Sequence, residues 1–259
     1  MDLLITFIVC LVAGCGAGLG TGFAGLSAAA VITPMLVTFL DIPAYSAVGI
    51  ALASDVLASA VSAYTYHKNK NIDIKNGIVM MLTVLLFTMV GSWVASFLPN
   101  EAMGGTSVFM TMMLGLKFII KPVNTTKEAM AAVSPQKRLI QSLLCGTMIG
   151  FICGFVGAGG GMMMLLILTT VLGYELKTAV GTSVFIMTFT ALTGSISHFV
   201  IDQEMPDLLV LSLCIIFTLL FARLGARFAN KASTKTLNRA TGIILVILGV
   251  IVLGVDALM

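Results

Sequence analysis

The chain has 259 residues, of which 59% are hydrophobic and 10% charged, and its mean hydropathy is +1.10. Apolar stretches of about 20 residues are long enough to cross hydrocarbon as helices, and segment 76–98 is apolar on every face, which excludes a β-barrel. The net charge of +3 comes from loops rather than from one basic face, which argues against a nucleic-acid partner. These features predict an all-α polytopic membrane protein in a lipid bilayer.

Five apolar segments are predicted in each half of the chain. In the first half they lie at about 3–17, 26–40, 46–66, 76–98 and 102–120. In the second half they lie at about 139–155, 158–172, 178–199, 207–228 and 237–257. The first two segments of each half are short for complete spans and meet at a glycine cluster, so they either form two tilted helices or re-enter.

The two halves repeat each other at an offset of 132 residues. Gly18 aligns with Gly150, and the sequence GFAG at 22–25 aligns with GFVG at 154–157. Segment 121–138 is polar and contains two prolines, which is typical of a linker. We therefore predict a first membrane repeat at 1–120, a cytoplasmic linker at 121–138 and a second membrane repeat at 139–259.

The hairpin after the third segment differs in charge between the halves. The first hairpin, HKNKNIDIK, carries Lys68, Lys70 and Lys75. Its counterpart, HFVIDQEMPD, carries Asp202, Glu204 and Asp207 and no basic residue. By the positive-inside rule the first hairpin is cytoplasmic, all fourteen Lys and Arg residues fit on that side, and both termini face outward. This predicts two inverted-topology repeats, each with a Gly-broken short helix pair plus three long transmembrane helices.

The glycine clusters are the first candidates for a binding site. Non-helical backbone in a bilayer must be buried in protein or line a cavity, and the free N–H groups at the start of the next helix can bind an anion. Close helix packing is the alternative; it stays open for the first cluster, whereas three consecutive glycines at 159–161 favour a site. The predicted substrate contacts are Gly22, Gly25, Gly157, Gly159, Gly160 and Gly161.

Three hydroxyl groups and one carboxyl complete the candidate site. Ser27, Thr182 and Ser183 lie near predicted helix starts, where they can donate to an anion or, alternatively, bond to their own helix. Asp55 is the one acidic residue near the middle of a predicted span. Because intramembrane carboxyls are costly, we predict a coupling role for Asp55, with a proton as the favoured ion. The alternative is a neutral carboxyl in a structural hydrogen bond. Its counterpart is Met187, so this role belongs to one half only.

The sequence contains no P-loop, HExxH or GxSxG motif, and its five Cys and two His residues do not cluster as metal ligands. We therefore expect no enzyme activity, no catalytic residue, no metal and no cofactor. The expected partners are a small anionic substrate and the lipid bilayer.

At these residues the sequence resembles the sulfite exporter TauE/SafE family, also described as toluene-sulfonate-uptake-type permeases. The resemblance covers nearly the whole chain and depends on GLGTGFAG, GFICGFVGAGGG, Pro34, and AVG or AVGTS before the third segment. It implies transport of sulfur-containing anions such as sulfite, sulfonates or related small organic acids. The first half departs from the pattern, with AGLSAAA in place of VGAGGG, so we expect the halves to contribute differently.

The combined expectation is a secondary transporter, a permease or exporter, that works by alternating access around a central anion site. It would lie in a bacterial or archaeal inner or plasma membrane as a multi-pass protein. A passive anion channel and a non-transporting module of a partner complex are the alternatives. The identity of the anion, the direction of transport and the oligomeric state, a homodimer included, stay open.

Overall fold

The computed structural model describes residues 3–95, 113, 115–156, 160–202 and 206–256. Over these residues the chain forms helices and short connections and no strand. Residues 115–120 are also helical. The other helices are α1 (Leu3–Ala24), α2 (Ala29–Leu40), α3 (Ala44–Lys68), α4 (Ile74–Ala95), α5 (Lys127–Ala131), α6 (Pro135–Val156), α7 (Gly160–Thr170), α8 (Leu176–Asp202), α9 (Leu208–Lys231) and α10 (Thr234–Asp256).

Six helices of the described chain are long and apolar enough to cross a membrane: α1, α3, α4, α8, α9 and α10. Helix α2 has 12 residues, which at 1.5 Å per residue is about 18 Å, too short for a hydrocarbon core of about 30 Å. The predicted all-α multi-pass architecture is therefore confirmed.

Helix α1 continues to Ala24, so the predicted end near residue 17 is wrong, and α2 is the short member of the first pair. Three glycines of α1, namely Gly14, Gly18 and Gly22, face α9 at very close range. A Cβ atom added to Gly18 would lie 2.5 Å from the carbonyl oxygen of Thr218. This close backbone packing stabilises a helix that its glycine content alone would weaken.

The first helix of each half packs against the fourth segment of the other half: α1 against α9, and α6 against α4. Gly14 of α1 lies against Phe217 of α9, and Gly22 lies against Ala222. Because residue numbers rise together along both helices, α1 and α9 are parallel. Glycines of α6 lie against the backbone of α4 in the same way.

The third helices of the two halves, α3 and α8, pack against each other in opposite directions. Gly49, near the start of α3, lies against Phe199, near the end of α8. Tyr66, near the end of α3, lies against Gly181, near the start of α8. Because residue numbers fall in one helix as they rise in the other, α3 and α8 are antiparallel.

The last segment of the first half and its counterpart in the second half, α10, also pack in opposite directions. A Cβ atom added to Gly115 would lie 2.9 Å from the Cβ atom of Leu245 in α10. Further along, the N–H of Val123 donates to Asn238 Oδ1 at 2.8 Å. The end of the first half therefore runs antiparallel to α10, as α3 does to α8.

Helix α3 contacts α1, α2, α8 and α9. Its middle section is packed against these helices, although Leu57 is exposed. Ser54, Asp55, Ala58 and Ser59 in this middle section are buried. Of the three candidate spans described in the first half, α3 is therefore both the most buried and the least hydrophobic.

Candidate functional site

Residues 25–28 connect α1 to α2 inside the protein. Gly25 has φ +61°, the left-handed conformation that favours glycine, and its N–H donates to the carbonyl of Thr21 at 2.9 Å. The N–H of Leu26 donates to the carbonyl of Gly20 at 3.2 Å. These bonds satisfy the last carbonyls of α1, so the helix ends within the core without leaving these groups unpaired.

The Asp55 carboxyl accepts hydrogen bonds beside this connection. Asp55 is 1% exposed. Ser27 Oγ donates to Asp55 Oδ2 at 2.7 Å, and Ser59 Oγ, one helical turn further along α3, donates to Oδ1 at 2.8 Å. The backbone of Ala28 also bonds to the carboxyl. Among the described residues, Asp55 has no ion pair with Lys, Arg or His, so neutral donors alone compensate its burial.

Helix lengths explain why Ser27 meets Asp55. Helices α2 and α3 are joined by residues 41–43 and pack side by side. Both advance 1.5 Å per residue, so the start of the 12-residue helix α2 lies level with the twelfth residue of α3, which is Asp55. The connection therefore lies about halfway along α3.

The same connection also contacts α8. Ser183 Oγ donates to the carbonyl of Gly25 at 3.4 Å, and a Cβ atom on Gly25 would lie 3.0 Å from Ser183 Oγ. The Ser183 hydroxyl is also 3.7 Å from the Met187 sulfur. The connection is thus held on one side by α3, through Ser27, and on the other side by α8, through Gly25.

Two further predicted contacts have other neighbours. Thr182 Oγ1 accepts the N–H of Asp73, in the α3–α4 hairpin, at 3.1 Å. The carbonyl of Gly22 accepts the hydroxyl of Tyr66 at 2.9 Å, and a Cβ atom on Gly22 would lie 2.6 Å from the carbonyl oxygen of Ala222. In this structure Thr182 therefore joins α8 to the hairpin, and Gly22 joins α1 to α3 and α9.

The second-half glycines are described only in part. Gly160 and Gly161 are the first two residues of α7, where the first N–H groups have no partner within the helix. Gly157 and Gly159 lie outside the described residues.

A second polar cluster lies at the α3–α4 hairpin. Asp73 Oδ2 accepts the Tyr174 hydroxyl at 2.8 Å and Asn76 Nδ2 at 2.7 Å, and Arg138 NH1 lies 3.9 Å away. Burial, and next the charge of Asp73, raise the pKa of Tyr174, so its phenol stays protonated and donates. This cluster joins the starts of α4 and α6 to the loop before α8.

Sequence reasoning did not find Ser59 or Tyr66. The spacing could have identified Ser59, because it follows Asp55 by four residues and therefore lies on the same helix face. No sequence pattern predicts the contact of Tyr66, because its partner Gly22 is 44 positions away and meets it only through tertiary packing.

A helical bundle with several spans, a half-length helix that starts in its interior and a buried carboxyl at that start is typical of secondary transporters. The class of protein that the fold defines is therefore a multi-pass membrane protein with a transporter-like interior.

The chain belongs to the sulfite exporter TauE/SafE family, whose model matches residues 10–252. It is similar to the probable membrane transporter protein YunE of Bacillus subtilis, with 26% identity over 95% of this chain and 96% of that protein. It is also similar to the probable membrane transporter protein MJ0441 of Methanocaldococcus jannaschii, with 27% identity over 97% of this chain and 94% of that protein. No solved structure matches it. The predicted family is confirmed, and the protein is a multi-pass protein of the cell membrane.

Proposed function

We propose that this protein is a secondary transporter of small anions of the sulfite or sulfonate type, coupled to protons through Asp55. The family and the names of the relatives support transport, and the family's name supports a sulfur oxyanion as substrate. The observation that carries the proposal is the buried connection at 25–28, from which a half-length helix starts next to an intramembrane carboxyl. Such a costly arrangement is expected where a transporter binds its ligands.

The start of α2 indicates how an anion is held. The N–H groups at a helix start and the positive end of the helix dipole attract negative charge. In the first half that charge is the protein's own, because Asp55 receives the Ser27 hydroxyl and an Ala28 backbone bond at this helix start. In the first half, the carboxylate of Asp55 therefore occupies the place at the helix start that a bound anion would take.

The second half has the same plan without the carboxyl. The counterparts of Asp55 and its two hydroxyl donors, 132 residues later, have no polar side chain: Met187, Ala191 and Gly159. By the helix-length argument above, the start of the 11-residue helix α7 at Gly160 lies level with the eleventh residue of α8, Ile186, next to Met187. We therefore place the substrate anion at this helix start, where glycine lets a ligand approach the backbone.

Alternating access would occur between two groups of helices. Close glycine contacts hold α1 to α9 and α6 to α4, so each of these rigid pairs mixes the two halves. Along most of its length the α3–α8 contact involves side chains, as where a Cβ on Gly194 would lie 3.0 Å from Leu52 Cδ1. A close backbone contact occurs at one end, between Gly181 and the carbonyl of Asn71 in the hairpin. We place the moving interface here, and the antiparallel packing of α3 and α8 supports the inverted repeat that such transport requires.

A thermal-shift screen of the purified protein tests the anion site. Sulfite, thiosulfate, sulfoacetate, taurine, acetate and chloride are compared on the wild type, Gly160→Ala and the control Gly254→Ala, a position with nothing within 4 Å of an added Cβ. A sulfur oxyanion is expected to stabilise the wild type and the control by about 2.7 kcal/mol at one hundred times its Kd. Gly160→Ala is expected to lose this effect. No shift with any anion would contradict the proposal and favour the partner-module alternative.

A further inference from the structure

The middle of α3 presents a carboxyl that is surrounded by neutral groups. The ionisable side chains nearest the middles of the helices packed on α3 are Cys10 and Cys15 on α1, Lys177 and His198 on α8, and Cys214 and Arg223 on α9, with none on α2. None of them forms an ion pair with Asp55 among the described residues. Its charge is therefore compensated by Ser27, Ser59 and the Ala28 backbone alone.

These three donors respond differently to a proton on Asp55. A backbone N–H can only donate, whereas a serine hydroxyl can donate or accept. Within the described part of the chain, Ser59 has Asp55 as its one hydrogen-bond partner. It can turn to accept the carboxyl proton while donating to the carbonyl one turn before it, as serines in helices do. Ser27 is less free, because its oxygen already accepts the N–H of Ala29 at 3.4 Å. A proton is therefore best accommodated on Oδ1, which faces Ser59.

Protonation would weaken the hold of α3 on the connection. Hydrogen bonds to an ionised carboxylate are roughly twice as strong as those to a neutral group, so the bond from Ser27 to Oδ2 weakens when Asp55 is neutral. Two residues before Ser27, Gly25 accepts the hydroxyl of Ser183 on α8. A change at Ser27 therefore reaches the α3–α8 contact within two residues of chain.

The geometry points to Ser27 and Ser59 as positioning residues of a proton-binding site on Asp55, with Ser27 transmitting the protonation state to the connection at 25–28. Ser27 then serves coupling and not substrate binding, which changes the role expected for it from sequence. The inference rests on the proposed function, in which Asp55 handles the coupling proton.

Infrared difference spectroscopy of the purified full-length protein, recorded over a pH series without substrate, tests the site. The carboxyl band that Asp55→Asn removes is assigned to Asp55, and its pH midpoint is compared between variants. Removing a donor to the ionised form favours the protonated form, so Ser27→Ala and Ser59→Ala are each expected to move the midpoint up by about 1 to 2 pH units. Ser27→Thr, which keeps the hydroxyl, is expected to restore it.

Ser54→Ala is the matched control. Ser54 is buried on the same helix next to Asp55, but its hydroxyl donates to the carbonyl of Ile50 at 2.9 Å. Its loss is expected to leave the midpoint unchanged. Equal midpoints in Ser27→Ala, Ser59→Ala and Ser54→Ala would overturn the inference, and so would failure of Ser27→Thr to restore the midpoint. If Ser27→Ala does not fold, Ser59→Ala and Ser27→Thr still decide it.

Hydrogen exchange tests the transmission step. At one pH at which the wild-type carboxyl is ionised, Asp55→Asn mimics the neutral state, and amides of segment 21–31 are expected to exchange several-fold faster than in the wild type. Equal exchange would overturn the role of Ser27 in transmission.

Both measurements are made without an anion. Their outcome is therefore independent of the thermal-shift screen for anions. If the screen shows anion binding but the serine variants leave the infrared midpoint of Asp55 unchanged, this inference alone is overturned. If the midpoint moves but the screen shows no anion binding, the proposed anion transport alone is overturned.

Discussion

The two helix starts at α2 and α7 follow one backbone plan with different side chains. Helices α2 and α7 have 12 and 11 residues and are followed by α3 and α8 with 25 and 27. In both halves of the chain, a half-length helix therefore precedes a helix long enough to span the membrane. Beside the start of α2 lies a carboxyl with two hydroxyl donors, whereas the matching positions of the second half are apolar or glycine. The comparison teaches that similar helix lengths in the two halves can carry different side chains, which supports the proposal that one half serves coupling and the other substrate binding.

The largest expected effect comes from giving the second half a carboxyl of its own. Met187 is 4% exposed. An aspartate at this position would have the Ser183 hydroxyl one turn before it but no second hydroxyl at Ala191, so Met187→Asp is expected to destabilise the protein by about 3 kcal/mol. The volume-conserving control Met187→Leu is expected to cost less than about 1.5 kcal/mol. Thermal unfolding in detergent measures both. Wild-type stability of Met187→Asp would show that the second half also accommodates a charge, and the comparison would fail.

The two hairpin aspartates, Asp73 and Asp207, extend the comparison to the helix ends. Asp73→Ala removes the acceptor of Tyr174 and Asn76 and is expected to cost about 2 to 3 kcal/mol. Asp207 accepts only local N–H groups of α9 within the described chain, so Asp207→Ala is expected to cost about 1 kcal/mol, the usual loss of an N-cap. Denaturant or thermal unfolding of both variants checks the order. Equal costs would contradict it.

Packing glycines should behave alike in both halves. A Cβ atom on Gly18 would lie 2.5 Å from the carbonyl of Thr218, and one on Gly150 would lie 2.6 Å from that of Val84. Each alanine substitution is therefore expected to cost about 1 to 3 kcal/mol. Gly254→Ala, which meets open space, is the control and should stay within about 0.5 kcal/mol of the wild type. A harmless Gly18→Ala would contradict the tight α1–α9 contact.

The smallest effect is expected from joining helices that move together. Cys10 in α1 and Cys214 in α9 are neighbours across the α1–α9 contact, so a short thiol cross-linker can join them without new cysteines. Uptake of the anion found by the thermal screen is expected to stay within about two-fold of the untreated protein, because this pair lies inside one rigid unit. The contrasting cross-link, Leu52→Cys with Gly194→Cys across the α3–α8 contact, is expected to stop uptake. The opposite pattern would place the moving interface between α1 and α9.

Much of the fold follows from the sequence, because span length, hydropathy and the internal repeat are properties of the chain itself. Even the approach of Ser27 to the helix turn between Asp55 and Ser59 is accessible, since two consecutive helices joined by a short turn must be level at equal distances from that turn. The true end of α1 was not accessible, because glycine weakens an isolated helix and only the packing of Gly18 on α9 reverses this. The roles of Thr182 and Tyr66 likewise depend on partners distant in sequence.

Uptake into proteoliposomes under an imposed pH gradient tests the central claim most directly. The anion identified by the thermal screen is offered to the wild type and Asp55→Asn, with and without the gradient, and anion exchange at uniform pH is followed in parallel. The account predicts that the gradient drives accumulation above the external concentration in the wild type, and that Asp55→Asn exchanges the anion but loses this accumulation. Gradient-driven accumulation that is equal in both proteins would contradict the coupling role of Asp55, and absence of any anion flux in the wild type would contradict the proposed transport itself.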